Sequence, residues 1–256
     1  MVSDRWRLDG FCALVTGGTK GIGHAIAEEM LQLGAAVYIA ARNRQEVEAC
    51  IDSWQQQGFA AYGAVADLSN SGDRSRLIEK LKANWDHLDI LVNNVGTNIR
   101  KKTVEYTTDE YDTVMGTNLR AGFETCQLAY PLLKKSNAAS VVNIVSVAGL
   151  THVRSGPPYG MSKAALTQLT RNLAVEWAAD GIRVNAVAPW YTRTPLVQQL
   201  LDDKDYLAAI IDRTPMGRIA EPKEVAAVAA FLCMPAASYV TGECIAVDGG
   251  FMIYGL

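Results

Sequence analysis

Residues 12–23 read CALVTGGTKGIG: an apolar run suited to a buried strand, then a cluster of glycines, then the opening of an amphipathic pattern, GHAIAEEMLQLG (23–34). Glycine lets a backbone turn tightly and approach a ligand, and the free N–H groups at a helix start favour an anion. A plain turn needs one or two glycines, not Gly17, Gly18, Gly21 and Gly23 together. A P-loop is excluded, because Gly23 is followed by His24 and Ala25 where Lys and Ser or Thr are required. The spacing, Gly-x-x-x-Gly-x-Gly, also differs from the commoner G-x-G-x-x-G. Its position between a strand and a helix still points to a dinucleotide pyrophosphate.

The second apolar run, AVYIA (36–40), is where the choice of dinucleotide is read. An NAD site usually places an acid about 20 residues beyond the glycines, on the ribose 2′-hydroxyl. Here the stretch is IAARNR (39–44), with no acid before Glu46. Arg42 and Arg44 are available, and Lys20 sits in the glycine loop; such cations suit a 2′-phosphate. The alternative is that both arginines only cap or solvate the next helix. The expectation is NADP(H).

Further out, short apolar runs alternate with helical patterns to the end of the chain. AAYGAVA (60–66), LDILVNN (88–94), SVVNIVSV (140–147), IRVNAVAP (182–189) and ECIAVDGG (243–250) read as further strands. That alternation predicts an α/β fold, a doubly wound Rossmann domain with a mainly parallel sheet and helices on both faces. No linker or composition break divides residues 1–256, so one domain is expected. Residues 190–215 are less regular and read as a mobile segment near the substrate. With 49% hydrophobic and 20% charged residues the chain can bury a large core, and a net charge of −3 gives no reason to expect nucleic acid. The cysteines at 12, 50, 126, 233 and 244 lack any CxxC pair, so neither a disulfide framework nor a metal site is expected. The first ten residues do not read as a signal peptide, and no run of about 18 apolar residues spans a membrane. These features predict a soluble cytoplasmic enzyme or binding domain.

SGPPYGMSKAAL (155–166) places Tyr159 four residues before Lys163, so on a helix the phenol and the ammonium share a face. Tyr130 and Lys134 repeat that spacing, and chance alone supplies about 0.4 such pairs in a chain of this composition. Spacing does not separate the two.

TGGTKGIG, DILVNNVG (89–96), MGTNL (115–119), Tyr159-Gly-Met-Ser-Lys163, NAVAP (185–189) and TGECIAVDGG (241–250) resemble, in the same order, the short-chain dehydrogenases/reductases. RNRQEV, TPMGR and FLCMPAASYVTG are most similar to the tropinone reductase-like branch. In the family a serine lies thirteen residues before the tyrosine, and Ser146 stands there relative to Tyr159. The residue thirteen before Tyr130 is Thr117, within a helical pattern, so Tyr130 and Lys134 read as surface or interface residues.

The resemblance implies a catalytic set of Asn118, Ser146, Tyr159 and Lys163. Tyr159 would be the general acid/base, Ser146 would orient the substrate oxygen, and Asn118 would hold a water linking Lys163 to solvent. A free phenol titrates near 10, and the Lys163 cation is expected to draw that value down. Lys163 would also bond the nicotinamide ribose. Cofactor contacts are implied for Gly17, Thr19, Lys20, Gly21, Ile22 and Gly23, for Arg42, for Asp67 and Leu68, and for Asn94 and Gly96. Tyr159, Lys163, Pro189 and Thr194 complete them, Thr194 at the carboxamide. Asp67 has a second reading as a helix N-cap. The family usually assembles as tetramers or dimers, which implies a homo-oligomer.

At Pro189-Trp190 the chain departs from the family's Pro-Gly. An indole there either walls the substrate pocket or packs under the segment that follows. Tyr191 stands beside it, and His152 and Arg154 lie in the approach to Tyr159, as substrate contacts or solvated loop residues. No acid occurs in GLTHVRSGPP (149–158), so neutral ketones are expected over cationic amines. The reaction implied is NADPH-dependent reduction of a ketone to a secondary alcohol. The competing readings are a dehydratase or isomerase on the same scaffold, and a dinucleotide-responsive binding protein without turnover.

Overall fold

Strand β1 (Cys12–Thr16) runs through the middle of the molecule, its last four residues fully buried. The computed structural model describes residues 4–255. From β1 the chain winds outward through α1 (Gly21–Gln32), β2 (Ala36–Ala41), α2 (Arg44–Gln56) and β3 (Ala61–Val65). It crosses back along α3 (Ser71–Asn84) to β4 (Ile90–Asn93) on the other side of β1. Helices α4 (Thr108–Met115) and α5 (Ala121–Leu133) lead to β5 (Ser140–Ile144), and α6 (Pro157–Glu176) to β6 (Arg183–Pro189). Two short helices, α7 (Gln198–Asp202) and α8 (Lys204–Asp212), precede α9 (Pro222–Cys233) and the last strand, β7 (Cys244–Val247).

The seven strands are ordered β3-β2-β1-β4-β5-β6-β7 and every pair is parallel. In register, Val15 is flanked by Ile39 and Val92. β4 and β5 are buried at every residue, as continuous apolar strands covered by helices on both faces must be. On one face Ile26 and Met30 of α1 pack with Val225, Ala226 and Ala229 of α9, whose alanines let the two helices approach closely. On the other, Leu77 and Leu81 of α3 join Leu132 and Leu133 of α5 and Leu173 of α6. Strand order reverses between β1 and β4, which opens a crevice at their carboxyl ends, the place where such sheets bind ligands.

Two local features are finer than the sequence pattern shows. Residues 116–120, within the helical pattern that holds Thr117, form a π-turn in which the Ala121 N–H bonds the Gly116 carbonyl. The segment 190–215 is built around α7 and α8. Its Leu201 and Ile210 form a small core with Ile219 just beyond it, Trp190, Tyr191 and Tyr206 pack on them, and Asp203 caps α8. Helices of five and nine residues are too short to show a periodic pattern. No helix among the described residues is long and apolar enough to cross a membrane. Burial pushes the Cys126 and Cys233 thiols up to about 12, so these are inert reduced thiols.

Candidate active site

A cleft of about 860 Å³ follows the carboxyl ends of the strands from the glycine loop to Tyr159. At one end Gly17 and Gly21 adopt left-handed φ values of 68° and 60°. A Cβ at Gly23 would lie 2.2 Å from the Gly17 carbonyl oxygen, so α1 can approach the loop only with glycine there. Gly23 therefore shapes the loop and does not line the cleft; Gly17, Thr19, Lys20, Gly21 and Ile22 do. Asn94 braces the same loop, its Nδ2 donating to the Thr16 carbonyl at 2.9 Å and to that of Gly17 at 3.2 Å. No side chain caps the start of α1, so its first N–H groups remain available to an anion. This open helix start beneath a glycine cradle fits a dinucleotide pyrophosphate.

The rim beyond β2 holds the exposed Arg42, which lines the cleft, whereas Arg44 turns away to pair with Glu48 at 3.4 Å. Glu46 also reaches this rim, where it accepts from Lys20 Nζ at 2.9 Å and Thr19 Oγ1 at 3.1 Å. Those bonds, Lys20's first, hold its carboxyl below the usual range. The sequence reading stopped short of Glu46, yet this carboxylate engages Lys20. Asp67 lines the cleft and accepts from the Ser69 N–H and hydroxyl. It is not a helix cap: Asn70 caps α3, accepting from the Asp73 N–H. Leu68, Gly96, Pro189 and Thr194 also line the cleft.

The other end gathers Ser146, Tyr159 and Lys163. Tyr159 and Lys163 lie in the first turns of α6, with the ammonium 5.7 Å from the phenol ring centre. Ser146 follows β5, and its Oγ accepts from the Ala148 N–H at 3.1 Å. Gly149 brings that turn onto α6, where a Cβ would fall 2.6 Å from the helix backbone. Lys163 is 3% exposed and donates to the Ile144 carbonyl at 2.9 Å. Burial pulls its pKa down to about 8. Burial pushes the Tyr159 phenol above its ordinary value, while the Ser146 hydroxyl and the Arg100 cation act in the opposite direction. The downward pull expected from Lys163 is not the leading influence on Tyr159, because both groups lose hydration together. Asn118, in the π-turn, accepts from the Thr97 N–H at 2.7 Å and donates to the Thr97 carbonyl at 2.9 Å and to Ser162 Oγ at 3.1 Å.

Trp190 lines the cleft and also packs under the following segment, so the two readings of its indole coexist. Its ring stacks on Phe251 with centres 3.8 Å apart and 8° between planes, and its Nε1 donates to Thr214 Oγ1 at 3.1 Å. Tyr191 lines the cleft too, its hydroxyl 2.6 Å from that of Tyr206. His152 and Arg154 are exposed and lie outside the lining, to which their neighbours Val153 and Ser155 contribute instead. Two lining residues that sequence reasoning passed over are Asn98 and Arg100; the cation-rich NIRKK stretch (98–102) after β4 was the available signal.

Elsewhere, Tyr130 donates to Asp180 at 2.6 Å and Lys134 pairs with the same carboxylate at 2.7 Å. Cys12, His87 and Asp89 meet at the far end of the sheet, a grouping their spacing did not reveal. Asp89 is already engaged by the Cys12 N–H at 2.8 Å, Ser136 at 2.5 Å and His87 at 3.2 Å.

The parallel sheet, the glycine cradle at its switch point and the Ser146, Tyr159 and Lys163 cluster in one cleft define a nicotinamide-dependent oxidoreductase fold. A family model described as enoyl-(acyl carrier protein) reductase matches residues 17–252. A tropinone reductase homologue from Arabidopsis thaliana is 52% identical over 252 residues, covering 98% of this chain and 96% of its own. Among solved structures, a gluconate 5-dehydrogenase from Burkholderia cenocepacia in complex with NADP and tartrate superposes with a TM-score of 0.94 at 32% identity, covering 98% of this chain and 99% of that one. A 7α-hydroxysteroid dehydrogenase complexed with NADH and 7-oxo glycochenodeoxycholic acid gives 0.93 at 31% identity, covering 98% and 97%. The chain belongs to the short-chain dehydrogenase/reductase family, within its tropinone reductase-like branch.

Proposed function

We propose that this chain is an NADPH-dependent reductase that converts a ketone reversibly to a secondary alcohol. The observation that carries the reading is that Ser146, Tyr159 and Lys163 line one cleft with the glycine cradle. Gly17, Thr19, Gly21, Ile22, Asp67, Leu68, Asn94, Gly96, Pro189 and Thr194 would hold the dinucleotide. Arg42, exposed on the rim and without a partner among the described residues, would take the 2′-phosphate. The solved relatives differ in cofactor, one bearing NADP and the other NADH, so the preference rests on this rim.

When bound, the reduced nicotinamide supplies the hydride. Tyr159, kept protonated by burial, donates its proton to the substrate oxygen as that oxygen gains charge. Ser146 donates its hydroxyl hydrogen to the same oxygen and orients it. Lys163 spends one N–H on the Ile144 carbonyl and keeps the others for the nicotinamide ribose and for the field that favours the phenolate. Alcohol oxidation needs the phenolate, so its rate rises with pH across the range where reduction falls.

The exposed apolar residues Tyr111 of α4, Phe123 of α5 and Met161 of α6, with Ile253 and Tyr254 near the C-terminus, support a homo-oligomer. The free thiols suit a reducing compartment such as the cytoplasm. The test is oxidation of NADPH against cyclic ketones, diketones, aromatic aldehydes and tropinone, with NADH and Tyr159→Phe as controls. Tyr159-dependent NADPH oxidation is expected. Turnover that survives Tyr159→Phe, or equal affinity for NADPH and NADH, defeats the corresponding half of the proposal.

A further inference from the structure

The extended stretch 97–102 after β4 forms one wall of the reactive end. Thr97 is pinned by both its N–H and its carbonyl to the Asn118 side chain, and the Ile99 carbonyl accepts from the Tyr106 hydroxyl. Between and beyond these anchors, Asn98 and Arg100 both line the cleft, two residues apart as one face of an extended chain requires. Both amide atoms of Asn98 and the Nε of Arg100 are buried with no hydrogen-bond partner in the protein. Buried polar atoms left in that state are rare, and each calls for an explanation.

The charges along the cleft are divided unevenly. Its acids, Glu46 and Asp67, belong to the dinucleotide end, where Lys20 and Ser69 engage them. At the reactive end Lys163 is buried on the Ile144 carbonyl. Arg100 is the remaining cation there, close enough to Tyr159 and Tyr191 to favour both phenolates. Its neighbour Lys101 behaves differently, pairing outside with Glu110 at 2.5 Å. Arg100 meets no carboxylate among the described residues.

We infer that Arg100 receives a carboxylate carried by the substrate, so that the ketone reduced at Tyr159 is an oxo acid. This rests on the reductase reading above and replaces the neutral ketone expected from the sequence. A guanidinium matches a carboxylate with two parallel N–H bonds, and low hydration in the cleft strengthens them. Asn98 adds an amide donor beside the same group, and the indole of Trp190, which lines the same cleft, supplies apolar surface for the carbon skeleton.

The experiment is steady-state reduction of cyclohexanone carboxylates bearing the acid at the second, third or fourth ring carbon, each beside its methyl ester. Wild-type protein is expected to favour at least one acid over its ester by about tenfold or more in kcat/KM. Arg100→Gln should erase that preference, with kcat/KM for the acid falling about tenfold or more beyond any loss on the ester, and Arg100→Lys should retain part of it. NADPH affinity and Tm of each variant register any loss of fold. A wild type that favours every ester, a preference that survives Arg100→Gln, or parallel losses on acid and ester overturns the assignment. If no ketone supports Tyr159-dependent oxidation of NADPH, the reductase reading fails by itself. Calorimetric binding of the same acids to NADP⁺-loaded protein then decides: binding lost in Arg100→Gln upholds the carboxylate site, and no binding or equal binding overturns it.

Discussion

The molecule contains two turns of helix with the same tyrosine-to-lysine spacing, one in α5 running just past its end and one at the start of α6. In both, the ammonium lies 5.7 Å from the phenol ring centre. Everything beyond that distance differs. Lys134 has a side chain 55% exposed and pairs with Asp180, which also accepts from Tyr130, and these partners raise its pKa. Lys163 is buried against a carbonyl, without a carboxylate, and falls to about 8, while burial keeps Tyr159 protonated. Spacing produces the pair, but the surroundings decide whether it holds a proton in reserve or ties two surface elements together. A residue that titrates away from its ordinary value inside a cleft is a functional candidate; one matched to a surface partner is a brace.

The sharpest way to break this contrast is to delete one hydroxyl at a time. Tyr159→Phe should lower kcat/KM by about 10² to 10⁴ with little change in NADPH affinity, since only the proton donor is removed. Tyr130→Phe should leave steady-state kinetics unchanged. Equal kinetic losses would mean the two turns are not functionally distinct. Asn118→Ala comes next, because it strands the partly buried Thr97 N–H and carbonyl, while the Ser162 hydroxyl keeps its bond to the Tyr159 carbonyl. Each stranded group costs about 1–3 kcal/mol, partly recovered where water enters, so a total near 3 kcal/mol is expected from denaturant unfolding.

Lys163 offers a pH test whose sign is set by burial. Its folded value of about 8 lies below the ordinary 10.5, so between those limits the unfolded chain holds more protons than the folded one. Stability contributed by this group therefore rises with pH across that window, and below it the group gives no slope. Tyr159 has the opposite tendency, raised in the fold and losing stability as alkaline pH removes its proton. Over pH 8 to 10 the Tyr159 contribution is small in both wild type and Lys163→Met, because its folded value lies above the ordinary 10. The Tm difference should be flat below about pH 7 and move in favour of wild type as pH climbs from about 8 to 10. A flat difference throughout would show that the ammonium is better hydrated than the structure indicates.

Much of this was legible in the letters for a definite reason. Parallel strands covered on both faces must be continuous apolar runs, so CALVT, LDILVNN and SVVNIVSV announce themselves, and the glycines after β1 mark the loop whose close packing only glycine permits. Ser146 was found from its thirteen-residue offset in a family pattern, not from any local chemistry. What stayed hidden depends on contacts between distant segments. Nothing near Trp190 foretells that Phe251 will lie flat against it, and Glu46 meets Lys20 only because α2 folds beside the glycine loop. His152 and Arg154 looked like candidates because they precede Tyr159, but the turn exposes both and offers Val153 and Ser155 to the cleft. Arg100 was passed over for the converse reason: in NIRKK it looks like one of three solvated cations, and only the fold separates it from Lys101.

The smallest expected effect belongs to the brace. Asp180 is held below the usual carboxylate range by Lys134 and then by Tyr130. Its contribution to stability is therefore present above the ordinary carboxylate value and lost as acid protonates the folded form. Lys134 is shifted upward, so its share is present below its ordinary value and lost only at strongly alkaline pH. Asp180→Asn should thus lower Tm by a small, nearly constant amount across neutral pH, with the gap closing in acid. Added salt should shrink it as well, because Lys134 is largely solvated. Activity should not change, since none of the three groups lines the cleft. A kinetic effect of Asp180→Asn would mean that the α5 turn communicates with Tyr159 through α6, and the two turns would then no longer be independent.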